Sequence, residues 1–144
     1  MENQNYSNHR RIVAPFHRVL FPLLALTLVG SAVNLFQSWG DHQRIYNASL
    51  ITALTICALM LFFFCRIFAL KAQDRAIRAE ENLRHFAMTG KLLDPRLTIR
   101  QIIGLRFASG EELIDLARRA AETSMTEDAI KRAVKVWRAD QYRV

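Results

Sequence analysis

Glu81 and His85 stand four residues apart, a spacing that puts a carboxylate and an imidazole on one face of a helix. A metal ion there would need a third ligand, and no His, Cys, Asp or Glu follows at a fitting interval, so the pair reads as a surface ion pair. His9, His17 and His42 are isolated in the amino-terminal segment or in a short linker, with His17 and Arg18 placed to meet lipid headgroups. Cys57 and Cys65 lie eight apart in an apolar run, which suits neither a disulfide nor a metal and makes them small packing residues. No P-loop, dinucleotide-binding glycine pattern, HExxH, CxxC or nucleophile elbow occurs. The expectation is a non-enzymatic protein with no catalytic residue, cofactor or metal.

The remaining chemistry is basic. Lys131, Lys135, Arg138 and Tyr142 fall at i, i+4, i+7 and i+11, one stripe on an expected final helix, and Arg96, Arg100 and Arg106 add charge before it. A solvated face is one reading. Contact with anionic headgroups is another, at about 1 kcal/mol for each well-placed cation. Nucleic acid is the least favoured partner, because Glu127, Asp128 and Asp140 repel phosphates and the turn at 123–126 lacks glycine.

The elements that carry these residues divide the chain in two. Only Asp41, Arg44 and Arg66 are charged between residues 19 and 70, whereas charges recur every two or three residues from 71 to 144. A mean hydropathy of +0.05 therefore averages an apolar half and a solvated half, which excludes a simple soluble enzyme, a secreted disulfide scaffold and a disordered chain. Residues 19–36 and 48–65 are uncharged; each covers about 27 Å as a helix, close to a bilayer's hydrocarbon thickness. The second span reaches about residue 70. Pro22, near the start of the first span, costs one backbone bond that neighbouring groups can satisfy. The linker 37–47 forces an antiparallel hairpin and places Trp39 and Tyr46 at an aromatic belt.

Arg10, Arg11 and Arg18 against Glu2, and Arg66, Lys71, Arg75 and Arg78 after the second span, put both termini in the cytoplasm by the positive-inside rule. Arg66 snorkels to the inner headgroups. A competing reading takes the first run as a signal peptide cleaved after Ala32, though the apolar stretch continues through Phe36. In the hairpin, facing residues should have numbers that sum to about 84, which pairs Thr27 with Cys57, Gly30 with Ala53 or Leu54, and Asn34 with Ser49 or Leu50. Ser49, Ala53 and Cys57 form a stripe of small residues for close approach, either within the hairpin or between copies.

Beyond the span, Asp74→Arg78, Glu80→Arg84 and Glu81→His85 are acid-first i,i+4 pairs. Ala72, Ala76, Ala79, Leu83 and Phe86 follow a 4-3-4-3 spacing, a seam for docking the following helices or for a dimeric coiled coil. Gly90 caps this helix and Pro95 turns the chain. Three short helices follow, signalled by capping boxes at Thr98–Gln101 and Ser109–Glu112 and by Thr126 before two acids. Ile130, Ala133, Val134 and Trp137 give the last helix its apolar face. About 50 residues make a marginal core, so the module should lean on the helix at 71–89.

The stretches FFFCRIFALKAQDRAIRAEENLRHF, TGKLLDPRLTIRQIIGLRFAS and IKRAVKVWRAD together resemble an uncharacterised family of small two-span bacterial membrane proteins, with a likeness that covers nearly the whole chain. That resemblance implies architecture and a bacterial origin, and no activity. The expected fold is all-α: a polar segment at 1–18, a two-span transmembrane hairpin at 19–70 and a cytoplasmic helical module at 71–144. Its partners would be the lipid bilayer, and a second copy or another protein. Its role would be that of an adaptor, regulator or membrane organiser; alternatives are a membrane-tethered nucleic-acid-binding module and an accessory subunit of a membrane enzyme or transporter.

Overall fold

The computed structural model describes residues 4–9 and 12–140; Glu2, Arg10 and Arg11, used to orient the chain, and Tyr142 of the basic stripe lie outside them. The architecture is all-helical. A π-helical turn, Pro15–Leu20, leads into α1 (Phe21–Gln37), followed by α2 (His42–Thr89), α3 (Ile99–Leu105), α4 (Gly110–Thr123) and α5 (Glu127–Ala133). The chain forms two compact units, one of Ile12–Ala69 and one combining Met1–Arg11 with Leu70–Val144.

In the first unit α1 and the start of α2 make an antiparallel hairpin. The wide π turn ends on a Phe21 N–H bonded to the Phe16 carbonyl, immediately before Pro22 removes a donor and crowds the preceding turn. Across the pair the Thr52 hydroxyl lies 3.2 Å from the Ser31 carbonyl, and the Phe21 and Phe62 rings are 5.6 Å apart; both pairs sum to 83, one from the expected register. The face is different. Leu24, Leu28, Ser31, Leu35 and Ser38 on α1 and Ile45, Ala48, Thr52, Thr55 and Phe62 on α2 are buried or half-buried, while Thr27, Gly30, Asn34, Ala53 and Cys57 are exposed and Ser49 is half-buried. Three leucines give this face more to bury than the Thr27–Gly30–Asn34 face, and the hydroxyls there need nothing across the pair. Thr27 donates to Leu23 and Ser49 to Tyr46, each within its own helix, and nothing stands within 4 Å of a Cβ built on Gly30. Cys65 is exposed too, so neither cysteine packs inside the hairpin. The turn is shorter than 37–47, because the Asp41 carboxylate accepts from Gln43 and Arg44 and starts α2 at His42.

The second unit holds a core of Ile77, Leu93, Leu97, Ile102, Leu105, Phe107, Leu113, Leu116 and Ile130. Thr98 and Gln101 form the expected capping box, and the Gln101 amide also donates to the Ala120 and Met125 carbonyls, tying α3 to the end of α4. Thr126 caps α5 as expected, and Gly90 (φ +72°) ends α2. Ser109 makes no side-chain cap. Glu112, its expected partner, instead accepts from the Lys135 and Val136 N–H groups at 2.7 and 3.1 Å. Those donors would otherwise have continued α5, and with Arg138 N–H bonded to the Phe107 carbonyl they turn the chain extended at Val134. The last helix therefore ends at Ala133, before Trp137, whose ring still covers Phe107 at 4.8 Å.

The face by which residues 70–89 of α2 dock is also corrected. Ile77, Glu81, Asn82, Arg84 and His85 are buried or half-buried, whereas the seam Ala72, Ala76, Ala79, Leu83 and Phe86 is exposed. Polar bonds select that face: Asn82 accepts from Leu93 N–H and His85 Nδ1 donates to the Lys91 carbonyl. Residues 4–9 add a contact that local patterns did not foretell. Gln4 accepts from Asp140 N–H at 2.8 Å, Tyr6 donates to Asp128, and the His9 ring lies against Phe107 and Trp137.

At Gly104 a Cβ would meet the Glu127 carbonyl oxygen and the Ile130 side chain at 3.1 Å. Gly104→Ala is expected to destabilise the module by about 1 kcal/mol, overpacking of roughly 1–3 kcal/mol outweighing the helix propensity gained. Denaturant unfolding of the full chain in detergent measures this, and unchanged or raised stability would show that α5 moves aside freely.

Candidate functional site

The densest set of charged groups surrounds Glu81, whose carboxylate is only 3% exposed. Helical spacing sets Arg84 one turn on, with Nη1 3.1 Å from Glu81 and Nη2 donating to the Ala108 carbonyl at 2.7 Å. The extended segment after α5 brings Arg138 Nη1 within 3.3 Å of the other Glu81 oxygen. Beside them a cavity of about 300 Å³ is lined by Ile77, Glu80, Glu81, Arg106, Arg138 and Asp140. Arg106, with a side chain 10% exposed, has Nε 3.3 Å from Asp140 Oδ2 in a geometry that makes no hydrogen bond, and its guanidinium stacks over Phe107.

Burial pushes the Glu81 carboxyl above its ordinary value, with Arg84 and then Arg138 pulling it back and Glu80 adding repulsion. Burial likewise lowers Arg106, against the attraction of Asp140. Desolvation outweighs the Coulomb gain at Glu81, so this is a costly buried charge held by two partners. The cavity's carboxylates and guanidiniums nearly balance, and no nucleophile or imidazole lines it. Among the described residues no group of three His, Cys, Asp or Glu side chains could hold a metal.

This arrangement changes the reading of the basic residues. Lys131 pairs with Glu127 at 2.5 Å and is 12% exposed, Arg100 reaches the same carboxylate at 3.6 Å, and Arg138 and Arg106 have the partners just described. Lys135 lies past the end of α5 with no ion pair among the described residues, so a single helical stripe of cations does not form. Among the described residues none of the three i,i+4 ion pairs expected on α2 forms: Arg84 turns to Glu81 rather than Glu80, Glu81 is a buried strut rather than a surface partner of His85, and nothing in the structure explains why Asp74 and Arg78 do not pair. Sequence spacing could have flagged Glu81 only through Arg84 at i+3; the contribution of Arg138 is non-local.

A family model described as a family of unknown function, DUF6526, matches residues 1–144. The chain belongs to that family. The family carries no assigned activity, which agrees with the expectation from the sequence of an uncharacterised family. No curated protein and no solved structure matches the chain.

The raised carboxyl of Glu81 gives a signed pH dependence. The folded state keeps a proton that the unfolded state sheds near 4.5, so stability should rise as pH falls from neutral through the raised value, the gain being complete below 4.5. Asp94, held down to about 2 by Arg96, acts in the opposite sense, and its stabilisation is lost only as pH falls below the usual 3.8. Unfolding midpoints between neutral pH and 4.5 should therefore increase in the native chain and stay flat in Glu81→Gln. A native profile that falls over this window would contradict the assignment.

Proposed function

We propose that the chain is a two-span anchor of a bacterial cytoplasmic membrane which holds the helical module in the cytoplasm and acts by binding rather than catalysis, as an adaptor, regulator or membrane organiser. The observation that carries this reading is exposure. Only 6% of the apolar window in Pro15–Gln37 and 17% of that in His42–Thr89 is buried, although each helix is long and apolar enough to cross a bilayer. A soluble core helix would bury such residues, and leaving Leu26, Leu54, Leu61 and Phe68 bare to water would cost about 1.5–3 kcal/mol for each. Phe36, Trp39 and Tyr46, all exposed around the turn, suit the headgroup layer at one end of the hairpin.

The cations at the other end support the orientation. Arg18, Lys71 and Arg78 flank the apolar runs with no ion pair among the described residues, so their charge is free for anionic headgroups. They are better placed for that contact than Lys131, Arg100, Arg106 and Arg138, whose charge is already compensated, and the same compensation weakens the nucleic-acid reading.

Topology tests the proposal. In a chain with Cys57 and Cys65 replaced by Ala, Gln43→Cys should react with an impermeant maleimide added outside intact cells, and fusions at both ends should report the cytoplasm. Labelling only after lysis would reverse the orientation, and recovery of the chain in the soluble fraction would end the anchor reading.

A further inference from the structure

We propose that two copies of the chain pair in parallel through the seam Ala72, Ala76, Ala79, Leu83 and Phe86 of α2, joined at its flanks by Arg75 of each copy and Glu80 of the other. Among the described residues nothing covers the seam. Its 4-3-4-3 spacing is that of a and d positions, yet the module docks through the Ile77–Glu81 face instead, and Leu83 and Phe86 are left 68% and 50% exposed. With Ala76 and Leu83 at a and Ala72, Ala79 and Phe86 at d, Arg75 falls at g and Glu80 at the following e. That g-to-e′ relation is the one bridged across a parallel, in-register pair, and it occurs twice by symmetry. Neither Arg75 nor Glu80 has an ion pair among the described residues, so both charges await a partner.

Parallel pairing rests on the anchor reading, because copies inserted with one orientation in one membrane can align α2 only that way. Two heptads are too few to associate strongly in free solution. Confinement to a membrane raises the effective concentration and removes much of that cost.

The test is cross-linking of the full chain in native membranes, with Cys57 and Cys65 replaced by Ala. Under mild oxidation Ala72→Cys and Ala79→Cys should each give disulfide dimers, and Arg78→Cys, off the seam, should not. Glu80→Arg should lower the yield and Arg75→Glu with Glu80→Arg should restore it, while Leu83→Asp, at an exposed position, should abolish dimers without lowering the unfolding midpoint. Equal yields at 72, 78 and 79, no yield at 72 and 79, or indifference to Leu83→Asp would overturn the dimer. The two readings fail separately. Outside labelling at Gln43→Cys with no seam cross-link would leave the anchor standing and remove the dimer. Cross-links between Ala72→Cys and Phe86→Cys chains, without homotypic cross-links at 72, would mean antiparallel helices and would count against a shared membrane orientation as well.

Discussion

A carboxylate removed from water must be met by cations, and at Glu81 that requirement organises the module. Arg84 answers from the next turn and, by reaching the Ala108 carbonyl, holds the α3–α4 connection against α2. Arg138 can answer only if the chain beyond α5 is extended, and its backbone N–H accordingly bonds to Phe107 while Glu112 takes the two donors before it. The raised carboxyl shows that these contacts do not fully offset desolvation. The cluster therefore contributes little net stability and instead selects one rotation of α2 on the module, since turning that helix by one residue would part Glu81 from Arg138 and Arg84 from the Ala108 carbonyl.

What could be read from the sequence was local. Thr98 with Gln101, Thr126 before two acids, and Gly90 before Pro95 are signals completed within four or five residues, and the structure uses them as such. The hairpin register came within one residue because a short turn leaves little freedom. The rotation of each helix did not, since Leu24, Leu28 and Leu35 outweigh the small polar residues whose hydroxyls bond their own helices. Glu112 shows the same limit: a capping pattern was spent on backbone donors more than twenty residues later.

The basic character of the chain, a formal +7, looks different once folded. Counted along the sequence, Lys131, Arg100, Arg106 and Arg138 are a reservoir of positive charge. In the module each faces a carboxylate, while Lys71, Arg75 and Arg78 have no ion pair among the described residues. Spacing reveals only the local part, Lys131 four residues after Glu127; the pairings of Arg100 with Glu127, Arg106 with Asp140 and Arg138 with Glu81 join distant segments.

The bonds joining Gln4 to Asp140 and Tyr6 to Asp128 span almost the whole chain. A ribosome releases residue 140 only after the apolar hairpin between these partners has left the exit tunnel. The module cannot close around its first residues during synthesis, so both apolar helices emerge while Gln4, Tyr6 and His9 are still waiting for the surface they will cover. Synthesis thus sets a built-in order in which the contacts of residues 4–9 with Asp128 and Asp140 come after the hairpin has been made.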